Sequence, residues 1–264
     1  MAADILDAIV SRVRKGLAGP SGDPGKLHDQ AMERPRLDFR AAIEGGPRPA
    51  LIAECKRRSP SKGMLRENYS VTELVKAYEA AGVSAISVLT NADFDGTLAH
   101  LAEASAAVGR TPLLRKDFII DERQLLEAAA YGADCVLLIA RILPGDQLNN
   151  LAEAARALRL QTLIEVYEEG ELDTALAAQP DLLGVNSRDL ATFTADNSKL
   201  AQMAGRLPPG MPLVAESGVS TRDGMMAASA AGARAVLVGE ALVTAADPAS
   251  RARELLGAMA GDAR

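Results

Sequence analysis

The chain has 264 residues, 29 Lys and Arg against 35 Asp and Glu, and a net charge of −6 at pH 7. That balance speaks against a general binder of nucleic acid or of an anionic membrane, both of which call for a basic surface, while 48% hydrophobic residues supply ample material for a packed core. Two cysteines, Cys55 and Cys135, and two histidines, His28 and His100, are too few and too scattered for a disulfide scaffold, a zinc site or a Ser-His-Asp triad, so no metal is expected.

Taken in chain order, Ile5, Leu6, Ile9, Val10, Val13 and Leu17 recur at helical spacing between a capping Asp4 and the stop residues Gly16 and Gly19. Residues 19–25, rich in Gly and Pro, read as a loop rather than a phosphate cradle, because no strand precedes them. The acidic start has no apolar stretch like that of a secretory signal, and no run is long enough to span a bilayer. A cytoplasmic protein with no membrane partner is therefore expected, and a monomer by default.

From Ala50 onward, eight short apolar runs follow: Ala50–Ala53, Ala85–Leu89, Pro112–Leu114, Cys135–Ala140, Thr162–Val166, Leu182–Val185, Pro212–Ala215 and Ala235–Val238. Between them lie Ala-, Leu- and Glu-rich stretches with helical periodicity, such as Val71–Ala81, Glu122–Tyr131, Asp146–Leu158 and Asp223–Ala231. Gly82, Gly132 and Gly232 stand where helices end, in similar junctions that form a weak internal repeat. Eight strands alternating with helices predict a (β/α)8 TIM barrel over residues 49–264, with residues 1–48 as a helical extension covering it; a doubly wound open sheet is the competitor.

In such a barrel the chemistry belongs at the C-terminal ends of the strands. Glu54, Lys56, Lys116, Glu165 and Glu216 each follow an apolar residue two positions back, so each extends a core-facing row. Charges inside a barrel mouth need partners, and two lysines with three glutamates can supply them while shifting one another's acidity. Cys55 alternates away from that face. Arg57, Arg58, Lys62, Arg115, Asp117 and Asp189 are read instead as ordinary charges where strands meet solvent. Gly218 and Gly239, after strands 7 and 8, stand where barrels commonly bind a phosphate.

These residues carry a resemblance. Ile52-Ala53-Glu54-Cys55-Lys56-Arg57-Arg58-Ser59-Pro60-Ser61-Lys62-Gly63 resembles the first-strand signature of the indole-3-glycerol-phosphate synthases, and Leu114-Arg115-Lys116-Asp117-Phe118-Ile119 their third-strand motif. Leu163-Ile164-Glu165-Val166, Gly184-Val185-Asn186, Ala215-Glu216-Ser217-Gly218 and Leu237-Val238-Gly239-Glu240 are similar to the later strands in register. The resemblance implies ring closure, decarboxylation and dehydration of 1-(2-carboxyphenylamino)-1-deoxyribulose 5-phosphate, without cofactor or metal. It implies Lys116 as general acid and Glu165 as base, with Lys56 touching substrate and Glu54 holding the lysines charged. Asn186, Arg188 and Glu216 would position the substrate. Ser59, Ser217, Gly218, Gly239 and Glu240 would lie near its carboxylate or phosphate ends, and Phe94, Phe118 and Leu137 against its aryl ring.

The sequence departs from the family pattern in three places: Thr90–Thr97 is one residue shorter, Ser187 replaces an asparagine, and the 19–25 loop is Gly/Pro-rich. Two alternatives follow, a non-catalytic paralogue that binds a phosphorylated ligand, or another phosphate-binding barrel such as phosphoribosylanthranilate isomerase or the tryptophan synthase α subunit. Retention of both Lys116 and Glu165 weighs against the first, and the outward-facing Cys55 against the isomerase.

Overall fold

The computed structural model describes residues 2–19, 22–59, 62–186 and 197–257. Eight parallel strands form a closed barrel: β1 (Ala50–Cys55), β2 (Ala85–Leu89), β3 (Leu113–Lys116), β4 (Cys135–Ile139), β5 (Gln161–Val166), β6 (Leu182–Val185), β7 (Leu213–Ala215) and β8 (Ala235–Val238). Each pairs with its sequence neighbour, and β8 returns to β1 with Val238 opposite Ala53. Every apolar run picked out by alternation is one of these strands, so the fold is the expected (β/α)8 barrel.

The outer ring follows from local chemistry. Helices α4 (Val71–Ala80), α5 (Leu98–Ala107), α6 (Glu122–Tyr131), α7 (Gln147–Ala157), α8 (Leu172–Ala177), α9 (Asn197–Ala204) and α10 (Arg222–Ala230) fill the crossovers, and α11 (Glu240–Val243) and α12 (Pro248–Leu256) follow β8. Ser70, Thr97, Asp121 and Thr221 cap α4, α5, α6 and α10 by accepting a backbone N–H of the first turn. At the far end of α6, Gly132 adopts φ 106°, a left-handed turn that releases the chain into β4 without a Cβ penalty.

Before the barrel lie α1 (Ala2–Leu17), α2 (Pro24–Glu33) and α3 (Phe39–Gly45). The expected loop over 19–25 ends sooner than its composition suggested. Asp23 caps α2 through the Gly25 N–H, and Pro24 takes the first helical position, where its missing N–H is no loss. α3 sits across the N-terminal end of the barrel with Phe39 and Ile43 fully buried. The Arg40 N–H donates to Gln161 Oε1 at the start of β5, and the Arg234 guanidinium, just before β8, donates to the carbonyls of Glu44, Gly46 and Pro47. α1 reaches the opposite end: Arg12 Nη2 lies 2.9 Å from Asp93 Oδ1 in the turn after β2. No described helix is long and apolar enough to cross a membrane.

Alternation sorts the strand residues into two layers. Ile52, Leu114, Leu163, Leu182 and Val214 fill the barrel interior, while Leu51, Cys55, Val136, Ile164 and Leu183 lie in the layer beneath the helices, all of them buried. The last inward position of each strand then faces the C-terminal mouth, and there the interior becomes charged.

Candidate active site

The mouth is built around one ammonium. Lys116, the last residue of β3, places Nζ 3.6 Å from Glu165 Oε2 on β5 and 3.6 Å from Glu216 Oε2 after β7. On the other side Lys56 Nζ lies 3.1 Å from Glu54 Oε1. Glu165 and Glu216 could not both reach Lys116 if the strand between them carried a side chain. Register sets Glu165 beside Gly184 of β6, and a Cβ on Gly184 would stand 1.9 Å from Glu216 Oε1 and 2.9 Å from its Cδ. Gly184 is thus the gap through which Glu216 leans. Gly239 makes the same room for Glu54, whose Oε1 would lie 2.4 Å from a Cβ there.

The two carboxylates hold protons differently. Burial opposes ionisation of Glu165, but the Lys116 ammonium, with the polar groups of Glu216, Tyr167 and Asn186 around it, holds its carboxyl below the usual range. Burial and the neighbouring Glu165 charge push Glu216 well above that range. Like charges this close do not both ionise, so Glu165 carries the charge and Glu216 the proton. Burial alone would lower Lys116, yet Glu165, Glu216 and Glu54 raise it above an ordinary lysine. The arrangement sets an ammonium, an ionised carboxylate and a neutral carboxylic acid side by side.

Lys116, Glu165, Glu54, Lys56, Asn186, Glu216 and Ser217 share a cavity of about 190 Å³ with Phe94, Phe118 and Leu137. The Phe94 and Phe118 rings stack with centroids 6.3 Å apart at 25°. The shorter turn after β2 therefore still delivers Phe94 to the mouth, on the short helical turn Ala92–Phe94. What holds the two rings is a buried cluster. Asp117 Oδ2 accepts from Thr90 Oγ1 at 2.6 Å and Arg115 Nη2 at 3.0 Å, and Oδ1 accepts from Asn91 Nδ2 at 3.1 Å and the Phe118 N–H at 2.8 Å. Asn91 Oδ1 in turn caps the Phe94 turn through the Asp93 N–H.

Arg115 and Asp117, expected as solvent-facing charges, are thus corrected. Arg115 is 3% and Asp117 6% exposed. Arg115 occupies an outward position of β3 and runs under α6, donating to the Gln124 carbonyl at 2.6 Å and Glu127 Oε2 at 3.3 Å. The pair satisfies its own charges, which makes its burial tolerable. Burial alone would raise Asp117, but Arg115, Thr90 and the Phe118 N–H hold it low.

A second lobe of about 220 Å³ adjoins the first and shares Glu54, Lys56, Glu216 and Ser217 with it. Its remaining wall includes Gly218, Gly239, Glu240 and Lys62. Gly218 has φ 82°, and Gly239 precedes α11. Lys62 pairs with Glu240 and borders this lobe while its side chain stays 53% exposed, as expected of a charge that faces solvent. Ser59 is buried in the short ladder Arg58–Ser59 with Gly63–Met64 and is not among the residues lining either lobe. Arg188, together with Ser187 and Asp189, lies outside the described residues.

Sequence reasoning passed over Tyr167, Ile139 and Leu89, which also line the first lobe. Period-two spacing could have found them: Tyr167 stands two beyond Glu165, and Ile139 two beyond Leu137. Cys55 is fully buried, and burial pushes its thiol up. It stays out of the mouth, as alternation indicated.

A family profile described as indole-3-glycerol phosphate synthase matches residues 6–255. A protein of Streptomyces coelicolor named indole-3-glycerol phosphate synthase 2 is 47% identical over 228 residues, 86% of this chain and 88% of that one. A Koribacter versatilis protein named indole-3-glycerol phosphate synthase is 40% identical over 257 residues, covering 96% and 98%. Among solved structures, a tryptophan synthase α-subunit from Pyrococcus furiosus superposes with a TM-score of 0.63 at 17% identity, covering 80% of this chain and 99% of that one; this likeness bears on the fold alone.

Proposed function

The chain belongs to the indole-3-glycerol phosphate synthase family, and from that premise we propose how its mouth divides the work of the reaction. The reaction is the conversion of 1-(2-carboxyphenylamino)-1-deoxyribulose 5-phosphate to indole-3-glycerol phosphate, carbon dioxide and water. The observation that carries the assignment is the Lys116 ammonium set 3.6 Å from both Glu165 and Glu216, one ionised and one protonated.

The aryl ring lies against Phe94, Phe118 and Leu137, and the phosphate occupies the adjoining lobe near Gly218 and Gly239, with Lys56 where the lobes meet. Ring closure turns the substrate's carbonyl oxygen into an alkoxide, and Lys116 gives it a proton. Carbon dioxide then leaves from the ring carbon that made the new bond, restoring the aromatic ring. In the dehydration that follows, Glu165 takes a proton from the ring-closed intermediate while Lys56 gives one to the hydroxyl, which departs as water. An acid and a base that coexist at one pH need environments that push them apart, and the mouth supplies these. Glu54 keeps Lys56 paired and oriented, and Asn186, Glu216 and Ser217 position the substrate. Arg188 is proposed to do so as well, and Ser59 to support the loop after β1. A monomer is proposed by default, with residues 1–48 as an extension covering the barrel.

The chain has no tryptophan, so a newly formed indole would dominate the emission of a reaction mixture. Purified protein mixed with the substrate should give a rising indole signal. Lys116→Ala and Glu165→Gln should each lower that rate by about 10²–10⁴-fold. A near-normal rate in Lys116→Ala removes Lys116 as the acid, and one in Glu165→Gln removes Glu165 as the base. A flat trace from folded parent protein that still binds substrate would favour the binding-only reading.

A further inference from the structure

Tyr167 stands two residues beyond Glu165, its side chain in the aryl lobe. Its phenol accepts a hydrogen bond from Asn186 Nδ2 at 3.0 Å. Asn186 Oδ1 in turn accepts from Ser217 Oγ at 2.6 Å. With its carbonyl oxygen occupied by the serine and its amide aimed at the phenol, Asn186 can present its side chain in one orientation only. The phenol oxygen already accepts, so its proton is free to point at Glu165. The ring itself is pinned: the Arg141 guanidinium lies 4.1 Å above its centroid, and Arg141 Nη2 is held 2.9 Å from Glu171 Oε1.

We propose that Tyr167 is a positioning residue for the reaction, the last link of a one-way donor chain Ser217–Asn186–Tyr167–Glu165 that keeps the base ionised and aimed into the cavity. The proposal rests on Glu165 acting as the base and adds a residue that serves it. Hydrogen bonds to a carboxylate favour its charged form, and the phenol can serve as a donor only if it keeps its own proton. Burial and the nearby Glu165 charge push Tyr167 up, so it does. When Glu165 takes a proton from the substrate, the phenol retains its hydrogen and nothing else is transferred.

Tyr167→Phe removes only the hydroxyl and leaves the ring under Arg141, so the fold should hold. We expect kcat to fall by about tenfold with KM within about twofold, since the interaction acts on the base rather than on substrate binding. The acid limb of kcat/KM should move upward by about one pH unit, because the carboxylate has lost a donor to its charged form. Tyr167→Leu should reproduce that shift and add a rise in KM from the lost aromatic wall. An acid limb that superposes on the parent's overturns the proposal whatever happens to kcat. Carbon-13 NMR of the glutamate carboxyls in the resting protein decides the same point without turnover: the Glu165 midpoint should rise in Tyr167→Phe, and an unmoved midpoint overturns the proposal. If the parent fails to make indole, the synthase reaction is what falls, and the NMR titration still judges Tyr167.

Discussion

Glu165 and Glu216 are the same residue type at the same distance from one ammonium, yet one is charged and the other neutral. The difference lies in the surroundings: the polar groups of Tyr167 and Asn186 favour the charged form of Glu165, whereas burial and the Glu165 charge favour the neutral form of Glu216. A stability consequence follows. A group whose acidity in the folded state lies above its unfolded value contributes stability at low pH, and loses it as pH rises from the unfolded value through the folded one. Glu216 is such a group, so the parent should lose this contribution from about pH 4.5 upward. Glu216→Gln copies the neutral acid and has nothing to titrate. Its melting temperature relative to the parent should therefore rise between pH 4.5 and pH 8, while turnover falls at every pH. Melting curves at the two pH values check the sign, and a constant difference between the proteins would mean that Glu216 is ionised in the folded state.

At the scale of elements, the active site depends on a strand that contributes nothing to it but space. β6 passes between Glu165 and Glu216, and at residue 184 it carries no side chain. Gly184→Ala keeps an allowed backbone but drives a methyl into the Glu216 carboxylate. Overpacking of this kind costs about 1–3 kcal/mol. The flexible end of Glu216 should relieve part of it by swinging away from Lys116. We expect at least a tenfold loss of kcat with the far-ultraviolet circular dichroism unchanged and only a small drop in melting temperature. A fully active Gly184→Ala protein would show that Glu216 does not need its present place. Residue 184 also marks where sequence reading stops. The strands were legible because two-residue alternation, capping side chains and helix-ending glycines all agree, and Glu54 with Lys56, Glu165 and Glu216 were legible because each prolongs an inward row. Gly184 looked like part of an apolar run, since a gap has meaning only beside the side chain that fills it. Arg115 and Asp117 looked like solvent charges, since nothing in the chain shows α6 lying over β3. The parity of Arg115 was visible all the same: it alternates with Leu114 and Lys116, which marks it for the outer layer. α2 escaped because it buries little besides Ala31 and so shows no apolar stripe, and α3 because it is only seven residues long.

For the whole molecule, the two ends of the barrel do different jobs. The N-terminal end is closed by α3, with Phe39 and Ile43 fully buried and the Arg234 guanidinium spanning three carbonyls. The C-terminal end holds the charged mouth. Phe39→Ala should destabilise the protein by about 3–5 kcal/mol, the usual range for a large aromatic lost from a core, and leave kcat nearly unchanged at temperatures where the protein is folded. Denaturant unfolding set against turnover checks both halves, and a comparable loss of kcat in the folded variant would show that the ends are not independent. The mouth itself is a room divided in two. Its lobes, about 190 and 220 Å³, meet at Glu54, Lys56, Glu216 and Ser217, and Lys116, in the first lobe, stands 3.6 Å from the shared Glu216. Such a layout works as a gauge of length. A molecule with an aryl group alone or a phosphate alone fills one side and leaves its reactive atoms out of register. Only a ligand whose two ends are separated by the right span of carbon brings its carbonyl to Lys116, so discrimination acts on spacing more than on the identity of either end.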